Sequence, residues 1–190
     1  MGNKDSKSGS VELNDETIER LTKNTNYTSE QIRQWHEAFL RDCPNGKLTA
    51  RQFSEVYKKF YPEFEAEKYS AQVFRTFDSD NSGSIDFVEF LLAVNLNSNG
   101  DVKDKLGFAF DIYDINKDGK IDKKEMTKVI TAIYDLLGEE NRKGDNSPEN
   151  RVKRIMEKLD MNDDKNISRE EFVEGCLRDD ILRQLLAPNV

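Results

Sequence analysis

The twelve residues Asp78-Ser-Asp-Asn-Ser-Gly-Ser-Ile-Asp-Phe-Val-Glu89 carry a pattern that recurs along this chain. The stretch begins with Asp and has oxygen-bearing side chains at positions 3 and 5. Position 8 is Ile, and the stretch ends with Glu at position 12. Residues 114–125 and 160–171 repeat this pattern in register, and residues 41–52 form a weaker copy with Leu48 at position 8. We number the four stretches loops 1 to 4 in chain order.

Each loop lies between segments whose apolar residues recur with a helical period. Before loop 1, Ile32, Trp35 and Phe39 share one helical face, and Thr28 with Gln31 has the spacing of a capping box. A unit of helix, loop and helix therefore occurs four times. One unit cannot bury its apolar face alone, so we expect an all-α fold of two pairs, with position 8 joining paired loops in a short β-bridge.

The same pattern predicts four parts along the chain. The boundary between the two pairs is placed near residues 95–101, where Asn, Ser and Gly cluster. Pro148 after Ser147 is typical of a helix start. The predicted parts are an N-terminal segment with a first helix at 1–24, the first pair at 25–96, the second pair at 101–178, and a C-terminal helix and tail at 179–190.

Composition excludes several classes of protein. The chain has 190 residues and a formal net charge of −8, which argues against nucleic-acid binding. It has two cysteines, Cys43 and Cys176, and neither an apolar leader nor an apolar run of the roughly 20 residues that a membrane span needs. We therefore expect free thiols in a reducing, cytoplasmic environment, with any membrane contact peripheral.

The repeated loops match the EF-hand pattern for Ca²⁺, a hard cation that takes six to eight oxygen ligands. Positions 1, 3, 5 and 9 offer side-chain oxygens, position 7 a carbonyl, and Glu at position 12 both carboxylate oxygens. The predicted ligands are Asp78, Asp80, Ser82, Ser84, Asp86 and Glu89 in loop 2, Asp114, Asn116, Asp118, Lys120, Asp122 and Glu125 in loop 3, and Asp160, Asn162, Asp164, Asn166, Ser168 and Glu171 in loop 4.

Loops 1 and 4 depart from the full pattern. Loop 4 has Lys165 where loops 2 and 3 have Gly at position 6. A side chain at positive φ costs on the order of 1 kcal/mol, so we expect loop 4 to bind about fivefold more weakly. Loop 1 has Arg41 at position 1, Cys43 at position 3, Pro44 at position 4 and Gln52 at position 12, and we expect no metal there.

A single acidic stretch is most often a solvated surface, but three in register between apolar helices are not. These three loops hold thirteen of the 37 acidic residues. Three Ca²⁺ ions would bring the formal charge from −8 to −2 and reduce repulsion from anionic surfaces. The same oxygen ligands leave Mg²⁺ open as the resting occupant of some loops.

The chain opens Met1-Gly-Asn-Lys-Asp-Ser6, which matches the N-myristoylation motif with Gly2 as acceptor. One myristoyl chain gives only marginal, reversible membrane binding. Lys4 and Lys7 add weak attraction to an anionic membrane surface. Marginal affinity suits a switch, because a small change in exposure of the acyl chain then decides where the protein is found.

Taken together, the sequence resembles the neuronal calcium sensor family of recoverin-, visinin-, hippocalcin-, neurocalcin- and frequenin-like proteins. The resemblance covers nearly the whole chain. It rests on Met-Gly-Asn-Lys at residues 1–4, the Trp35 helix, Asp-Cys-Pro-Asn-Gly at 42–46, Phe-Arg-Thr-Phe-Asp at 74–78, Lys-Leu-Gly-Phe-Ala-Phe at 105–110 and Ala-Ile-Tyr at 132–134. Lys165 departs from the family's usual Gly.

The resemblance implies a Ca²⁺–myristoyl switch and a monomer or weak dimer. Without Ca²⁺ the acyl chain would lie in a groove of the first pair; Ca²⁺ would release it and open the groove to an amphipathic helix of a target protein. His36, on the helix that begins this pair, is expected at the surface without chemistry. The candidate groove residues, each also plausible as ordinary core, are Trp35, Phe39, Phe53, Val56, Tyr57, Phe60, Phe90 and Leu91.

Two other functions remain open at this point. A Ca²⁺ buffer would bind more tightly and barely open, and an acyl motif with a ligand-poor first loop is unusual for one. A fixed regulatory subunit of an enzyme would also carry EF-hands, though with an intact first loop. No nucleophile–base set or phosphate-binding loop is visible, so an enzyme is not expected.

Overall fold

The computed structural model describes residues 13–60, 65–139 and 142–187, except the side chain of Phe60. Gly2, the predicted acyl acceptor, lies outside these residues. The helices in the described part are α1 Asp15–Asn24, α2 Ser29–Asp42, α3 Ala50–Phe60, α4 Ala66–Phe77, α5 Phe87–Asn99, α6 Val102–Tyr113, α7 Lys123–Leu136, α8 Pro148–Leu159, α9 Arg169–Arg178 and α10 Asp180–Leu186. The strands are β1 Leu48–Thr49, β2 Ser84–Ile85, β3 Lys120–Asp122 and β4 Asn166–Ser168.

The ends of the loops start the helices that follow them. In loops 2, 3 and 4, the position-9 side chain is the N-cap, and the position-12 Glu closes a capping box with it. Thr28 and Gln31 form the predicted capping box of α2. Ser147 caps α8, with Pro148 in its first turn, as predicted. The residues that bind the cation in the EF-hand pattern therefore also fix the direction of each outgoing helix.

Two short antiparallel pairings join the loops as position 8 predicts. Leu48 pairs with Ile85, and Ile121 pairs with Ile167. The three isoleucines have no exposed surface. The prediction of an all-α fold with two EF-hand pairs and short β-bridges is confirmed.

The connection between the pairs is shorter than the composition suggests. Helix α5 continues through the Asn- and Ser-rich residues to Asn99, and Asp101 caps α6 directly afterwards. The N–H of Gly100 still bonds to the carbonyl of Leu96, at 2.9 Å. A Cβ on Gly100 would lie 2.4 Å from that carbonyl oxygen, so only glycine allows so tight an exit. The linker is therefore two residues long.

The buried side chains form two cores, but these cores do not correspond to the two pairs. The smaller core joins α1, α2 and α5 through Ile18, Leu21, Ile32, Phe39 and Leu91. The larger core holds the second pair and α10, and it also takes in α3 and α4 of the first pair. Helix α4 packs against α6 and α7. The first pair is thus divided between its own core and that of the second pair.

His36 contradicts the surface position expected for it. Its side chain is 8% exposed, and its ring lies 4.8 Å from that of Phe87. His36 shares the i, i+4, i+7 face of α2 with Ile32 and Phe39, and α5 covers that face. The expectation was wrong because it judged the residue by its polarity rather than by its helical phase.

Both cysteines are buried free thiols. Cys43 is 2% exposed and Cys176 is fully buried. Burial raises the pKa of Cys176 to about 12, which keeps the thiol protonated at neutral pH. Burial, with a smaller effect of Asp42, also raises the pKa of Cys43. The thiols act as small apolar side chains in their cores.

Replacing Gly175 by Ala is expected to destabilise the protein, although Ala is normally the better helix former. A Cβ at this position of α9 would lie 2.1 Å from Cδ2 of Leu159, which is itself buried in α8. Overpacking of this kind typically costs about 1–3 kcal/mol. Urea unfolding measures the change.

The matched control is Gly107→Ala in α6. There the new Cβ would meet only the guanidinium of Arg169, at 3.2 Å, and that long side chain can move. We expect its unfolding free energy to stay within about 1 kcal/mol of the original chain. Equal losses of unfolding free energy in the two variants would show that the packing of α8 against α9 is no tighter than that around Gly107.

Candidate metal centres

In loop 2, backbone N–H groups orient the carboxylates that are expected to bind the cation. Asp78 accepts the N–H of Ser82 at 2.9 Å and that of Gly83 at 3.0 Å. Glu89 folds back over the loop and accepts the N–H of Ser79 at 2.8 Å. The ligand oxygens of Asp78, Asp80 and Glu89 all lie within 4.8 Å of one another.

Loop 3 repeats this arrangement around Asp114 and Glu125. Asp114 accepts the N–H groups of positions 5 and 6 at 3.2 and 2.9 Å. Glu125 accepts those of Ile115 and Asn116, both at 3.0 Å. Asp114 is 5% exposed and Glu125 is 8% exposed. Two nearly buried carboxylates in one loop favour a bound cation, because burial removes water that would otherwise stabilise their charge.

Loop 4 has the same hydrogen bonds despite Lys165. Asp160 accepts the N–H of Asp164 at 3.1 Å and that of Lys165 at 2.9 Å. Glu171 accepts the N–H of Met161 at 3.0 Å. Lys165 has φ +67°, close to the +82° and +84° of the glycines at position 6 of loops 2 and 3. The side chain therefore strains this position without changing the path of the loop.

The backbone of loop 1 cannot follow the other three. Position 4 of loops 2, 3 and 4 is left-handed, with φ of 55° at Asn81, 60° at Lys117 and 59° at Asp163. Loop 1 has Pro44 there, and its ring holds φ near −65°. Only the position-6 Gly46 keeps a positive φ, +71°. This backbone restriction weakens a metal site in loop 1 in addition to the missing carboxylates. The presence of Pro44 at position 4 could have revealed the restriction from the sequence.

Among the predicted aspartate ligands, two have carboxyl groups whose pKa is lower than usual. The N–H of Ser82 donates to Asp80 and lowers the pKa of its carboxyl group. The N–H of Asn166, with a smaller contribution from Lys120, lowers that of Asp164. Nζ of Lys120 lies 3.1 Å from Asp164, although the two residues belong to different loops. Both carboxyl groups are therefore ionised at neutral pH, as a cation site requires.

The donor set of loops 2, 3 and 4 fits Ca²⁺ better than a transition metal. All predicted ligands are carboxylate, amide, hydroxyl or carbonyl oxygens, and none is His or Cys. The position-1 and position-12 carboxylates of each loop accept hydrogen bonds from the loop's own N–H groups. Residues that a Ca²⁺ ion would need are thus held in place by the fold itself.

Replacing Lys165 by Gly is expected to raise the Ca²⁺ affinity of loop 4 by about fivefold, because it removes strain on the order of 1 kcal/mol at positive φ. Isothermal titration calorimetry of the full chain measures this. Lys165→Gln separates charge from strain, since it removes the charge and keeps the Cβ. If Lys165→Gln raised the affinity as much as Lys165→Gly, charge rather than strain would set the affinity of loop 4.

Comparison with known proteins agrees with this geometry. Family models described as an EF-hand domain pair match residues 44–95 and 103–177, together more than half of the chain. Human recoverin is 38% identical over 188 residues, with 96% of this chain and 92% of recoverin covered. Neuronal calcium sensor 1 of Lymnaea stagnalis is 39% identical over 176 residues, with 92% of both chains covered. This chain belongs to the neuronal calcium sensor family.

Membership of the neuronal calcium sensor family establishes the broad functional class of this chain. S-modulin of Aquarana catesbeiana, 37% identical, aligns with 96% of this chain and 91% of its own length. The chain is a calcium sensor and not an enzyme, as the sequence predicts. Across the described ranges, no helix is both long and apolar enough to cross a membrane.

The candidate groove residues of this calcium sensor fall into two groups. Trp35, Phe39 and Leu91 belong to the smaller core, which Ile18 and Leu21 of α1 help to close. Phe53 and Tyr57 pack instead on the larger core, with their rings 5.3 Å apart. Phe90 touches both groups and lies 5.2 Å from Phe39. Val56 is 44% exposed, and the side chain of Phe60 lies outside the described residues.

One apolar cleft opens beside the second group. It has a volume of about 250 Å³ and runs between α3, α4, α5 and α6. Phe53, Tyr57 and Phe90 line it from the first pair, and Phe108 lines it from the second. Leu186 and Ala187 at the end of α10 form part of its wall. Three of the eight predicted residues thus meet in a cleft shared by both pairs, which the repeat pattern alone does not reveal.

Proposed function

We propose that this protein senses intracellular Ca²⁺ through loops 2, 3 and 4 and couples it to membrane attachment and to target binding. The observation that carries the proposal is the shared hydrogen-bond arrangement of the three loops in a chain of the calcium sensor family. Each loop would hold one Ca²⁺ through the ligands named above, and the bound ion would supply positive charge that draws the position-12 Glu toward position 1.

The outgoing helices would carry this local change to the apolar surfaces. Glu89 lies in the first turn of α5, and the next residue, Phe90, touches both groups of candidate groove residues. A shift of Glu89 toward a bound ion would move Phe90 with it. Loop 2 is therefore the loop best placed to open the cleft and the smaller core.

We place the acyl chain of Gly2 among these apolar residues in the Ca²⁺-free state. The 250 Å³ cleft and the aromatic residues around Phe90 offer an apolar environment for part of such a chain. Release on Ca²⁺ binding would leave the same residues free for an amphipathic helix of a target protein. The protein would then act as a cytoplasmic monomer or weak dimer that moves reversibly to anionic membranes.

Co-sedimentation with lipid vesicles tests this function. The full chain, produced with and without N-myristoyltransferase, is mixed with phosphatidylserine-containing vesicles in Ca²⁺ or in chelator. We expect only the acylated protein to pellet, and only with Ca²⁺. A Gly2→Ala chain, which cannot be acylated, serves as the matched control and should stay in the supernatant in both conditions.

Two results would revise the proposal in different ways. If acylated protein pellets equally with and without Ca²⁺, the acyl chain is always exposed, and Ca²⁺ acts on the cleft alone. If the protein binds Ca²⁺ and pellets in neither condition, the switch is wrong and a Ca²⁺ buffer accounts for the loops better.

A further inference from the structure

Arg75 connects two loops that belong to different pairs. It lies in the last turn of α4, three residues before Asp78, and its guanidinium reaches the end of α6. Nη1 donates to the carbonyl of Asp114 at 2.9 Å, and Nη2 donates to those of Asp111 and Ile112 at 3.1 and 3.0 Å. Helix α6 leaves these last carbonyls without partners of its own. Arg75 thus caps the incoming helix of loop 3 from the incoming helix of loop 2.

Burial and nearby charges act in opposite directions on the guanidinium in this cap. A positive charge at the C-terminal end of α6 is favoured by the helix dipole. Burial of the guanidinium lowers the pKa of Arg75, and the nearby negative charges of Asp114, Glu125 and Asp111 offset part of this effect. Two of these three residues, Asp114 and Glu125, are the first and last predicted ligands of loop 3. The position of Arg75 therefore depends on the charge of loop 3.

A second, exposed contact shows how close loops 2 and 3 lie. Nζ of Lys117, at position 4 of loop 3, lies 2.9 Å from Oδ1 of Asn81, at position 4 of loop 2. The β-bridges, in contrast, join loop 1 to loop 2 and loop 3 to loop 4. Loops 2 and 3 are thus in contact outside the EF-hand pairing.

We propose that Arg75 is a positioning residue that couples Ca²⁺ binding in loop 3 to Ca²⁺ binding in loop 2. Ca²⁺ in loop 3 neutralises Asp114 and Glu125, which weakens the hold on Arg75. Helix α4 is then freer to change its angle to α5, as Ca²⁺ in loop 2 requires. The coupling is positive, and by linkage each loop raises the affinity of the other by the same factor. This inference rests on the proposed Ca²⁺ function of both loops.

The single tryptophan provides a reporter for loop 2. The ring of Trp35 lies 6.0 Å from that of Phe90, the residue that follows Glu89. A change at the position-12 ligand of loop 2 should therefore alter the fluorescence of Trp35. Glu89→Gln is expected to abolish the Ca²⁺-dependent change. If Glu89→Gln leaves that change intact, the proposed function of loop 2 fails, which is a separate result from failure of the coupling.

The coupling is measured by Ca²⁺ titration of four full-length chains: the original, Asp118→Ala, Arg75→Met and the double variant. Asp118→Ala removes the position-5 ligand of loop 3 but keeps the carboxylates of Asp114 and Glu125 that act on Arg75. In the original background, it should move the midpoint of the Trp35 signal to higher Ca²⁺ by about fivefold or more. In the Arg75→Met background, the same substitution should move the midpoint by less than about twofold. Equal shifts in the two backgrounds would overturn the proposal, even with both loops binding Ca²⁺.

Two further variants separate coupling from a merely structural role. Arg75→Lys keeps the charge but loses the fork that reaches three carbonyls, and it should give an intermediate shift. If Arg75→Met does not fold, as judged by circular dichroism in chelator, Arg75→Lys decides the question, and a full-sized shift there rejects the proposal. Lys117→Met removes only the exposed contact and should retain most of the coupling. Loss of coupling in Lys117→Met would assign the coupling to the loop contact instead.

Discussion

Replacing Glu125 by Gln is expected to lower the Ca²⁺ stoichiometry from three ions per chain to two. The position-12 Glu is the bidentate ligand in an EF-hand, and the neutral amide loses both a charge and an oxygen. The same loss of one ion is expected for Glu89→Gln and for Glu171→Gln. Calorimetric titration of each full-length variant measures the stoichiometry directly.

Loop 1 shows that these variants should still fold. Gln52 already stands at position 12 there, and its side chain accepts the N–H of Thr49 at 3.0 Å, as each Glu accepts the position-9 N–H in its own loop. A Gln can therefore keep the cap of the outgoing helix while losing the metal ligand.

The matched control is Gln52→Glu, which restores the missing carboxylate to loop 1. Arg41 and Pro44 remain, so we expect the stoichiometry to stay at three. Three ions bound to every one of the Glu→Gln variants would contradict the assignment of the loops, and a fourth ion in Gln52→Glu would contradict our account of loop 1.

Removal of Ca²⁺ with a chelator is expected to lower the melting temperature by about 20 °C or more. A ligand present at a thousand times its Kd stabilises a protein by about 4 kcal/mol per site, and a chain of this size melts about 2–4 °C lower for each kcal/mol lost. The nearly buried Asp114, Glu125 and Glu171 add repulsion once the cations leave. Differential scanning calorimetry in Ca²⁺ and in chelator measures the shift.

The chain with all three position-12 residues changed to Gln is the control for this experiment. Its melting temperature should be nearly the same in Ca²⁺ and in chelator, because no loop retains its bidentate ligand. A Ca²⁺-dependent rise of full size in that chain would place the stabilising ions outside loops 2, 3 and 4.

The loops could be predicted from the sequence because they depend on interactions between residues close together in the chain. Twelve-residue spacing, the position-8 residue and the position-12 Glu predict helix, loop and strand together, since each residue acts on neighbours a few positions away. The capping boxes at Thr28, Asp86, Asp122 and Ser168 follow from the same short-range rules. The pairing of Ile121 with Ile167 required only that equivalent loops face each other.

Other features escaped prediction because they depend on contacts between distant segments. His36 was expected at the surface, but α5 covers its face of α2. The boundary between the pairs was placed near residues 95–101, and only the hydrogen bonds of α5 show that its helix continues to Asn99 within that range. Nothing in the residues next to Arg75 indicates that its side chain ends on the carbonyls of α6.

The sequence by itself determined the four units and their pairing, and it predicts the oxygen ligands of loops 2, 3 and 4 and the lack of that ligand set in loop 1. The tertiary structure decided which apolar residues share a core, where the cleft opens and which loops touch across the pairs. The physical reason is the packing of α4 on α6 and α7. That contact joins segments far apart in sequence, and its geometry depends on many weak apolar contacts at once, whereas a ligand set depends on a few residues at fixed spacing.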